Sequence, residues 1–391
     1  MPRRVNLPVA LLISLSACTV PKGAPPTYGV TVAVSFDAIR FGKTRATGLA
    51  DPLSRRPAGA DDPVRIASVS KLVTALGVMR LVEAGTLDLD RDVSVWLGWQ
   101  LRNPAFPDVP ITLRMLLSHR SSLTDGADYI FPLGDRIEDR LHDPRAWDAE
   151  HRPGSYFRYT NLNFPVVASA MEGATGERFD RLMARLVFAP LRLDACLNWT
   201  TCSNAAVAHA VVLTDAQGRV RRDDLRGRRP ACPVIPASDG SCDLSAYRPG
   251  TNGALFSPQG GVRISMHDLA RIGQMILRGG DRFLSPRSIA TLIGPEWRFE
   301  GANGETEKGF NCAHGLAVQT LATPRADCHD DPFGDTRPRI GHAGEAYGLR
   351  SGLWLDLERK SGVVFFVTAV PDDAPKGRSA FTAAEEAVLG R

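Results

Sequence analysis

The pairing of Ser68 with Lys71 is the feature of the sequence that most directly suggests chemistry. A serine hydroxyl is a poor nucleophile at neutral pH and needs a base within hydrogen-bond reach. Residues three apart lie on one face of a helix, so Lys71 could accept the Ser68 proton. The segment 69–84 is apolar on nearly every side, which predicts a buried helix in which desolvation lowers the pKa of Lys71. Ser68 would begin that helix, where free N–H groups favour developing negative charge.

A second short motif, Tyr-x-Asn, is formed by Tyr159 and Asn161. A phenol near an ammonium group can share its proton, so Tyr159 could relay a proton between Ser68 and the leaving group. Asn161 could present its amide to a substrate carbonyl or to Lys71. Both residues are therefore candidate members of the site.

A third motif, His-Ala-Gly, begins at His342 and precedes a predicted strand. Gly344, in an edge strand, would let a substrate backbone approach closely. The N–H of Glu345 could then join that of Ser68 in an oxyanion hole. We expect His342, Gly344 and Glu345 to bind the substrate.

Together, these motifs resemble those of the penicillin-recognising serine hydrolases, which include class C β-lactamases, D-alanyl-D-alanine carboxypeptidases and related esterases. The family motifs Ser-x-x-Lys, Tyr-x-Asn and Lys/His-x-Gly occur here in that order. The resemblance implies an acyl-enzyme on Ser68 and neither a metal nor a cofactor. It extends over roughly residues 28–390, through blocks that include RIASVSKLVTALGVMRLVEAGTLDLDRDVSVWL, ITLRMLLSHRSSL, PGSYFRYTNLNF, GGVRISMHDLARIGQMILRGG and GHAGEAYGLRSGLWLD.

The third motif departs from the Lys-Thr-Gly that is usual in the family's β-lactamases and carboxypeptidases, where it binds the substrate carboxylate. Neutral His342 is a weaker carboxylate anchor at pH 7, and Ala343 offers no hydroxyl. Arg350 could supply the missing positive charge. We therefore expect a hydrolase of esterase, amidase or peptidase type that acts on a small-molecule or peptide ester or amide. Two alternatives stay open: a D-alanyl-D-alanine carboxypeptidase or class C-like β-lactamase, and a non-catalytic protein that binds cell-wall peptide.

The predicted elements agree with the fold that the resemblance implies, an α/β sandwich with an added helical domain. Strands near both ends of the chain predict an antiparallel sheet that is completed by both termini and flanked by helices. A mainly helical domain of about residues 86–250 is expected within a hydrolase domain of residues 28–390. Strands are predicted at 28–36, 39–47, 314–321, 350–357 and 362–370, and helices at 69–84, 112–119, 160–189, 266–278 and 380–389.

The six cysteines after residue 18 are even in number and form no C-x-x-C pair, which favours disulfides over zinc. Six cysteines allow 15 pairings. We expect pairing between sequence neighbours, in an irregular insertion at 196–250 and beyond it: Cys196–Cys202, Cys232–Cys242 and Cys312–Cys328.

The N-terminus predicts export. Two arginines and a short apolar stretch are typical of a signal peptide, here residues 1–17. The sequence Leu-Ser-Ala-Cys that ends at Cys18 resembles the lipobox of bacterial lipoproteins, which implies lipidation of Cys18 and a tether over 18–27. Thr19 in place of aspartate does not favour inner-membrane retention. We expect a lipid-anchored protein on the periplasmic side of the outer membrane; an ordinary cleaved signal peptide is the alternative.

The charge balance does not suggest a nucleic-acid partner. The formal net charge is +4, and the arginine-rich run 219–229 also carries Asp223 and Asp224. Such a run is typical of a solvated surface loop. The chain contains neither the G-x-S-x-G of α/β-hydrolases nor the H-E-x-x-H of zinc hydrolases, which leaves the Ser-Lys interpretation without a rival motif.

Overall fold

A computed structural model describes residues 29–390 of the chain. The predicted signal peptide, the predicted lipidation site Cys18 and the predicted tether lie outside the described residues. The strands are β1 Thr31–Asp37, β2 Phe41–Thr47, β3 Leu49–Asp51, β4 Arg56–Pro57, β5 Val64–Arg65, β6 Cys196–Leu197, β7 Leu213–Thr214, β8 Val220–Arg222, β9 Val262–Ile264, β10 Trp297–Arg298, β11 Ala313–His314, β12 Gln319–Leu321, β13 Arg339–Ala346, β14 Leu349–Asp356 and β15 Ser361–Val367.

The helices are α1 Val69–Glu83, α2 Ser94–Leu97, α3 Leu113–Leu117, α4 Ile137–Arg140, α5 Asn163–Thr175, α6 Phe179–Met183, α7 Asn204–Ala208, α8 Met266–Leu277, α9 Pro286–Ile293 and α10 Ala383–Leu389. A 3-10 turn, Pro144–Ala146, and a π-helical turn, Ala184–Phe188, complete them. Among these helices, none has both the length and the apolar character needed to cross a bilayer.

One eight-stranded sheet organises the molecule, in the order β10-β11-β12-β13-β14-β15-β1-β2. Each neighbouring pair is antiparallel. The N-terminal β1 pairs with the C-terminal β15, with Thr31 opposite Val367. The prediction of an antiparallel sheet completed by both termini is confirmed.

Helices cover both faces of this sheet because the strand side chains alternate between two cores. On β15, Val364 and Phe366 point into the larger core, which includes α1 and α8. Phe365 and Val367 point to the opposite face, where α10 packs. The predicted flanking of the sheet by helices is thus also confirmed. This packing places the N-terminal end of α1, just after Ser68, against β13.

Two predicted elements are interrupted. The helix expected over 160–189 ends at Gly176, whose left-handed φ of 68° closes α5. The strand expected over 314–321 breaks into β11 and β12 at Ala317, which has a φ of 56° and donates its N–H to Leu117 O at 2.8 Å. In both places a residue with a left-handed φ ends the regular helix or strand that the apolar pattern predicted.

The three predicted disulfides are confirmed: Cys196–Cys202, Cys232–Cys242 and Cys312–Cys328. Two of them lie in the 196–250 insertion, which contains the short β6, α7, β7 and β8 and is otherwise irregular. Most of the run 219–229 is exposed, but Asp223 is buried and pairs with Arg263 at 3.0 Å. Helices α2–α7 lie within residues 86–250, and the division into two domains stays a prediction.

Candidate active site

Ser68 immediately precedes α1, at the end of a turn that several groups hold in place. Ala67, just before it, has a φ of 45°, an unfavourable conformation for a residue with a Cβ. Ser351 on β14 donates its hydroxyl to Ile66 O at 2.9 Å and fixes this turn from the sheet side. Ser70, the neighbouring serine, is fully buried and accepts the Val262 N–H at 3.1 Å. Of the two serines, only Ser68 lines the cleft.

Gly344 on β13 is required by the close approach of this strand to the Ser68 turn. A Cβ at this position would lie 2.5 Å from Ile66 O and 2.4 Å from Ser351 Oγ. From the sequence, this glycine was expected to let a substrate backbone approach an edge strand. In the structure, β12 pairs only with Arg339–Gly341, so β13 has a free edge around Gly344, but the protein's own Ile66–Ala67 segment is what requires the glycine.

Lys71 is fully buried, and its ammonium group has three oxygen partners. Its Nζ lies 2.9 Å from Ser68 Oγ, 2.8 Å from Asn161 Oδ1 and 3.1 Å from Gln259 O. Burial lowers the pKa of Lys71 to about 7, while the nearby Asp125 and Glu307 oppose that shift. A lysine with this pKa is partly neutral at physiological pH and lies within reach of the Ser68 proton.

Asn161 is held in place by Asp125, a residue that no sequence motif singled out. The Asp125 carboxylate accepts the Asn161 backbone N–H at 2.8 Å and its side-chain Nδ2 at 2.8 Å. It also accepts the Leu162 N–H at 3.0 Å. Since Nδ2 is bound to Asp125, Oδ1 faces Lys71. Of the two roles that the sequence left open for Asn161, the structure shows the contact with Lys71.

Tyr159 lies between Ser68 and a group of buried histidines. Its hydroxyl lies near Ser68, and its ring centroid lies 4.9 Å from Lys71 Nζ. His119 stacks on the ring at 4.4 Å. Burial raises the pKa of Tyr159 above its usual range, so the phenol stays protonated at neutral pH.

His342 is buried on β13, and its ring centroid lies 6.1 Å from that of Tyr159. Desolvation and the positive charge of Lys71 lower the pKa of His342 to about 3. Its Nδ1 lies 2.5 Å from Ala343 O, which makes Nδ1 the protonated nitrogen and leaves Nε2 as an acceptor. The third motif therefore places a neutral imidazole in the cleft.

The edge of β13 that faces the cleft supplies backbone donors. Ala343 N–H points away from β14 and donates to Gln319 Oε1 at 2.8 Å. N–H groups two residues apart on a strand share a side, so the Glu345 N–H lies on the same edge. Within residues 29–390, no protein group accepts the Ser68 N–H. Both donors that the sequence proposed for an oxyanion hole thus border the cleft and are available to a substrate oxygen.

The cleft has a volume of about 560 Å³ and brings together all the site residues that the sequence predicted except the buried Lys71, which lies beneath it. Arg350 also borders it, but its guanidinium is bound to Glu345 Oε1 at 2.8 Å. The residues that sequence reasoning missed are Asp125, Gln259, Glu307, Gln319, His119 and His314. Among the described residues, no three or more histidine, cysteine, aspartate or glutamate side chains are grouped to hold a metal ion.

Comparison with known proteins decides the family. The family described as Beta-lactamase matches residues 28–387. The chain belongs to the beta-lactamase family. Esterase EstB of Burkholderia gladioli is 35% identical over 170 residues, which cover 39% of this chain and 42% of the esterase. Penicillin-binding protein 4* of Bacillus subtilis (strain 168) is 27% identical over 272 residues, which cover 67% of this chain and 54% of that protein. The chain thus spans about half the length of these two relatives.

Solved structures show that the family member has the expected fold. The D-amino acid amidase from Ochrobactrum anthropi SV3 superposes with a TM-score of 0.65 and 17% identity, over 93% of this chain and 95% of the amidase. At this identity the likeness concerns the fold alone. The predicted β-lactamase/transpeptidase-like architecture is confirmed.

Proposed function

We propose that this family member is a serine hydrolase that cleaves an ester or amide bond through an acyl-enzyme on Ser68. The observation that carries the proposal is the 2.9 Å contact between Ser68 Oγ and the buried Nζ of Lys71, whose pKa is about 7. A hydroxyl next to a partly neutral amine has the base that a serine nucleophile needs. The name of the relative EstB, an esterase, supports an ester substrate.

In this proposal each group has a role in acylation. Neutral Lys71 takes the Ser68 proton as Oγ forms a bond to the substrate carbonyl carbon. The carbonyl oxygen, now negative, accepts the N–H groups of Ser68 and Glu345. As the carbonyl double bond re-forms, the leaving group departs with a proton that Tyr159 passes on from Lys71.

Deacylation repeats these steps with water as the nucleophile. Lys71 and Tyr159 take a proton from the water, which attacks the acyl carbon. Ser68 Oγ then leaves and regains a proton from Lys71. Asn161 keeps the Lys71 amine aligned through the 2.8 Å contact to its Oδ1.

The matched pair Ser68→Ala and Ser70→Ala tests the nucleophile. Both serines lie at the start of α1, but Ser70 accepts a backbone N–H instead of lining the cleft. We expect Ser68→Ala to abolish hydrolysis of a p-nitrophenyl ester and the mass shift produced by a fluorophosphonate. Ser70→Ala should lose stability but retain both. Labelling that persists in folded Ser68→Ala would show that the proposed nucleophile is wrong.

A carboxypeptidase or β-lactamase is the second candidate, and the name penicillin-binding protein 4* supports it. His342 is neutral, Arg350 pairs with Glu345 and Arg65 pairs with Asp223, so Lys376 is the one cation among the described lining residues of the cleft that has no carboxylate partner and could attract a substrate carboxylate. We therefore expect neutral esters to be better substrates than D-alanyl-D-alanine peptides or a cephalosporin. His342→Lys should shift that preference towards the anionic substrates. If the unmodified enzyme turns over the peptide faster than any neutral ester, this second candidate is favoured.

A non-catalytic member that binds cell-wall peptide is a third possibility at the level of the family. The intact contacts among Ser68, Lys71 and Tyr159 favour turnover instead. Folded protein that neither the fluorophosphonate nor a fluorescent penicillin labels would support the binding protein.

We also propose export and lipid anchoring through Cys18, which is supported by the lipobox-like sequence and by the three disulfides. Labelling of cells with a palmitate analogue should mark the wild-type chain but not Cys18→Ala. Fractionation should place the wild type in the outer membrane. An unlabelled wild-type chain in the soluble periplasmic fraction would indicate an ordinary cleaved signal peptide.

A further inference from the structure

A second cleft, of about 340 Å³, lies at the C-terminal end of α1 and is lined by five arginines. We name it the arginine pocket; its arginines are Arg80, Arg192, Arg271, Arg278 and Arg282. Arg80 comes twelve residues after Ser68, which places it roughly 18 Å further along the helix axis. The arginine pocket is therefore separate from the active-site cleft.

The positive charge in the arginine pocket is only partly balanced. Arg271 pairs with Asp268, and Arg278 pairs with Asp281 at 2.7 Å. In the part of the chain that the structure describes, neither Arg192 nor Arg282 has a carboxylate within 4.0 Å.

Arg80 has no carboxylate partner either. Its guanidinium donates to Phe283 O at 2.8 Å, and its buried Nε has no hydrogen-bond partner in residues 29–390. Three guanidinium groups that have no directly paired carboxylate among the described residues therefore line one concavity, and an anion that entered it would be attracted.

The backbone that presents these arginines is unusual. Four successive residues, Gly279 to Arg282, have left-handed φ angles of 72°, 105°, 45° and 64°. Arg192, on the opposite wall, has a φ of 56°. Residues with a Cβ disfavour this region, so the surrounding structure must hold them there, and such residues concentrate at ligand-binding sites. The Gly280 N–H donates to Met275 O at 3.0 Å and provides one of these constraints.

We propose that the arginine pocket binds a multiply charged phosphate group, such as a pyrophosphate or a phosphate monoester. The planar guanidinium fork matches phosphate oxygens and donates two parallel hydrogen bonds. Three guanidinium groups without a directly paired carboxylate favour an anion of charge −2 or more over a single carboxylate. The phosphate can belong to a soluble molecule or to the headgroup of an anionic lipid, and the experiment distinguishes these sources.

Inorganic pyrophosphate is the first probe, titrated calorimetrically into the folded full chain at low and high ionic strength. We expect binding that weakens with salt and that falls by about tenfold for each of Arg192→Ala and Arg282→Ala, since each removes a charge-assisted contact. Arg55→Ala is the matched control, because Arg55 is also exposed and also has a φ of 56°, but lies in the β3–β4 turn. The control should bind pyrophosphate as the wild type does.

Vesicle flotation and a titration with citrate, a carboxylate, complete the test. Flotation with phosphatidic acid vesicles, compared with neutral phosphatidylcholine vesicles, identifies a headgroup source if the two pocket variants, but not Arg55→Ala, lose the interaction. Binding of pyrophosphate without vesicle binding identifies a soluble ligand. Three results would overturn the proposal: no binding of either probe, equal weakening by Arg55→Ala, or tighter binding of citrate than of pyrophosphate. Ester hydrolysis should be unchanged in all three variants, because none of these residues lies in the active-site cleft.

Discussion

The acid limb of the pH–rate profile should report the ionisation of Lys71. Only the neutral amine accepts the Ser68 proton, and its pKa is about 7. The neutral fraction is then about one in eleven at pH 6 and about one in a hundred at pH 5. We therefore expect kcat/KM for a p-nitrophenyl ester to fall about tenfold from its plateau by pH 6, and a further tenfold by pH 5.

The buried histidines around Tyr159 do not account for such a limb. Burial lowers the pKa values of His119 and His314 well below the usual histidine range, and that of His342 to about 3. Tyr159 titrates far above neutrality. Glu307 is the remaining group near Lys71 whose pKa is shifted upwards, chiefly by desolvation. Substitution of Glu307 therefore distinguishes whether the acid limb reports Lys71 or Glu307.

Glu307→Gln should move the acid limb to lower pH, since Glu307 raises the pKa of Lys71. A charge at the rim of a cleft is screened, so we expect a shift of about half a pH unit and, at pH 6, about threefold more of the plateau activity. The replacement amide oxygen can still accept Asn311 Nδ2, as Glu307 Oε2 does at 2.9 Å. Glu305→Gln is the control, because Glu305 pairs with Arg158 instead and should leave the limb in place. A limb that disappears in Glu307→Gln, or a wild-type limb with a pKa below about 5.5, would refute the assignment to Lys71.

Three further predictions concern the supports of the site. Asp125→Asn should lower kcat about 100-fold with little change in KM, because the Asn161 amide loses its carboxylate partner and no longer fixes Lys71. Steady-state kinetics check this prediction, and an unchanged kcat would contradict it. Gly344→Ala should lower both the melting temperature and kcat, because the added Cβ would lie 2.4 Å from Ser351 Oγ and 2.5 Å from Ile66 O. Gly59→Ala is the control and should change neither, because its Cβ would meet only Asp62 Oδ2, at 3.7 Å. Equal melting temperatures of the two variants would contradict this steric argument. Replacing Cys312 and Cys328 by serine should lower the free energy of unfolding by about 3 kcal/mol, and replacing Cys196 and Cys202 by about 2 kcal/mol, since the closed segments span 16 and 6 residues. Urea unfolding measures both losses. A larger loss for the Cys196–Cys202 pair would contradict the loop-entropy argument.

The parts of the fold that depend on local pattern were predictable from the sequence. The apolar run after Ser68 predicted 69–84 as a buried helix, and α1 covers Val69–Glu83. Disulfide pairing followed from sequence proximity and proved correct in all three cases. Gly176 is the signal that was missed, since a glycine after a helical run commonly ends the helix.

The supports of the site could not be predicted, because they come from loops without a repeat and act across long separations. Asp125 reaches Asn161 from 36 residues away, and Gln259 O reaches Lys71 from 188 residues away. Neither belongs to a motif, and an aspartate or glutamine in an irregular loop is ordinarily solvated. Only the folded chain shows that Lys71 has three oxygen partners and that Ser351 fixes the turn before Ser68.

One physical cause, the exclusion of water from the space between α1 and β13, accounts for the electrostatics of the site. Desolvation is the largest influence on the pKa values of Lys71, Tyr159 and His342, and in each case it favours the neutral form. The low pKa of the base therefore does not require the second positive charge that a lysine in the third motif would bring. A family member with a neutral third motif can keep its serine activated while it loses attraction for anionic substrates. This separation of nucleophile activation from substrate charge is why Ser68 chemistry and a preference for neutral esters are compatible in one cleft.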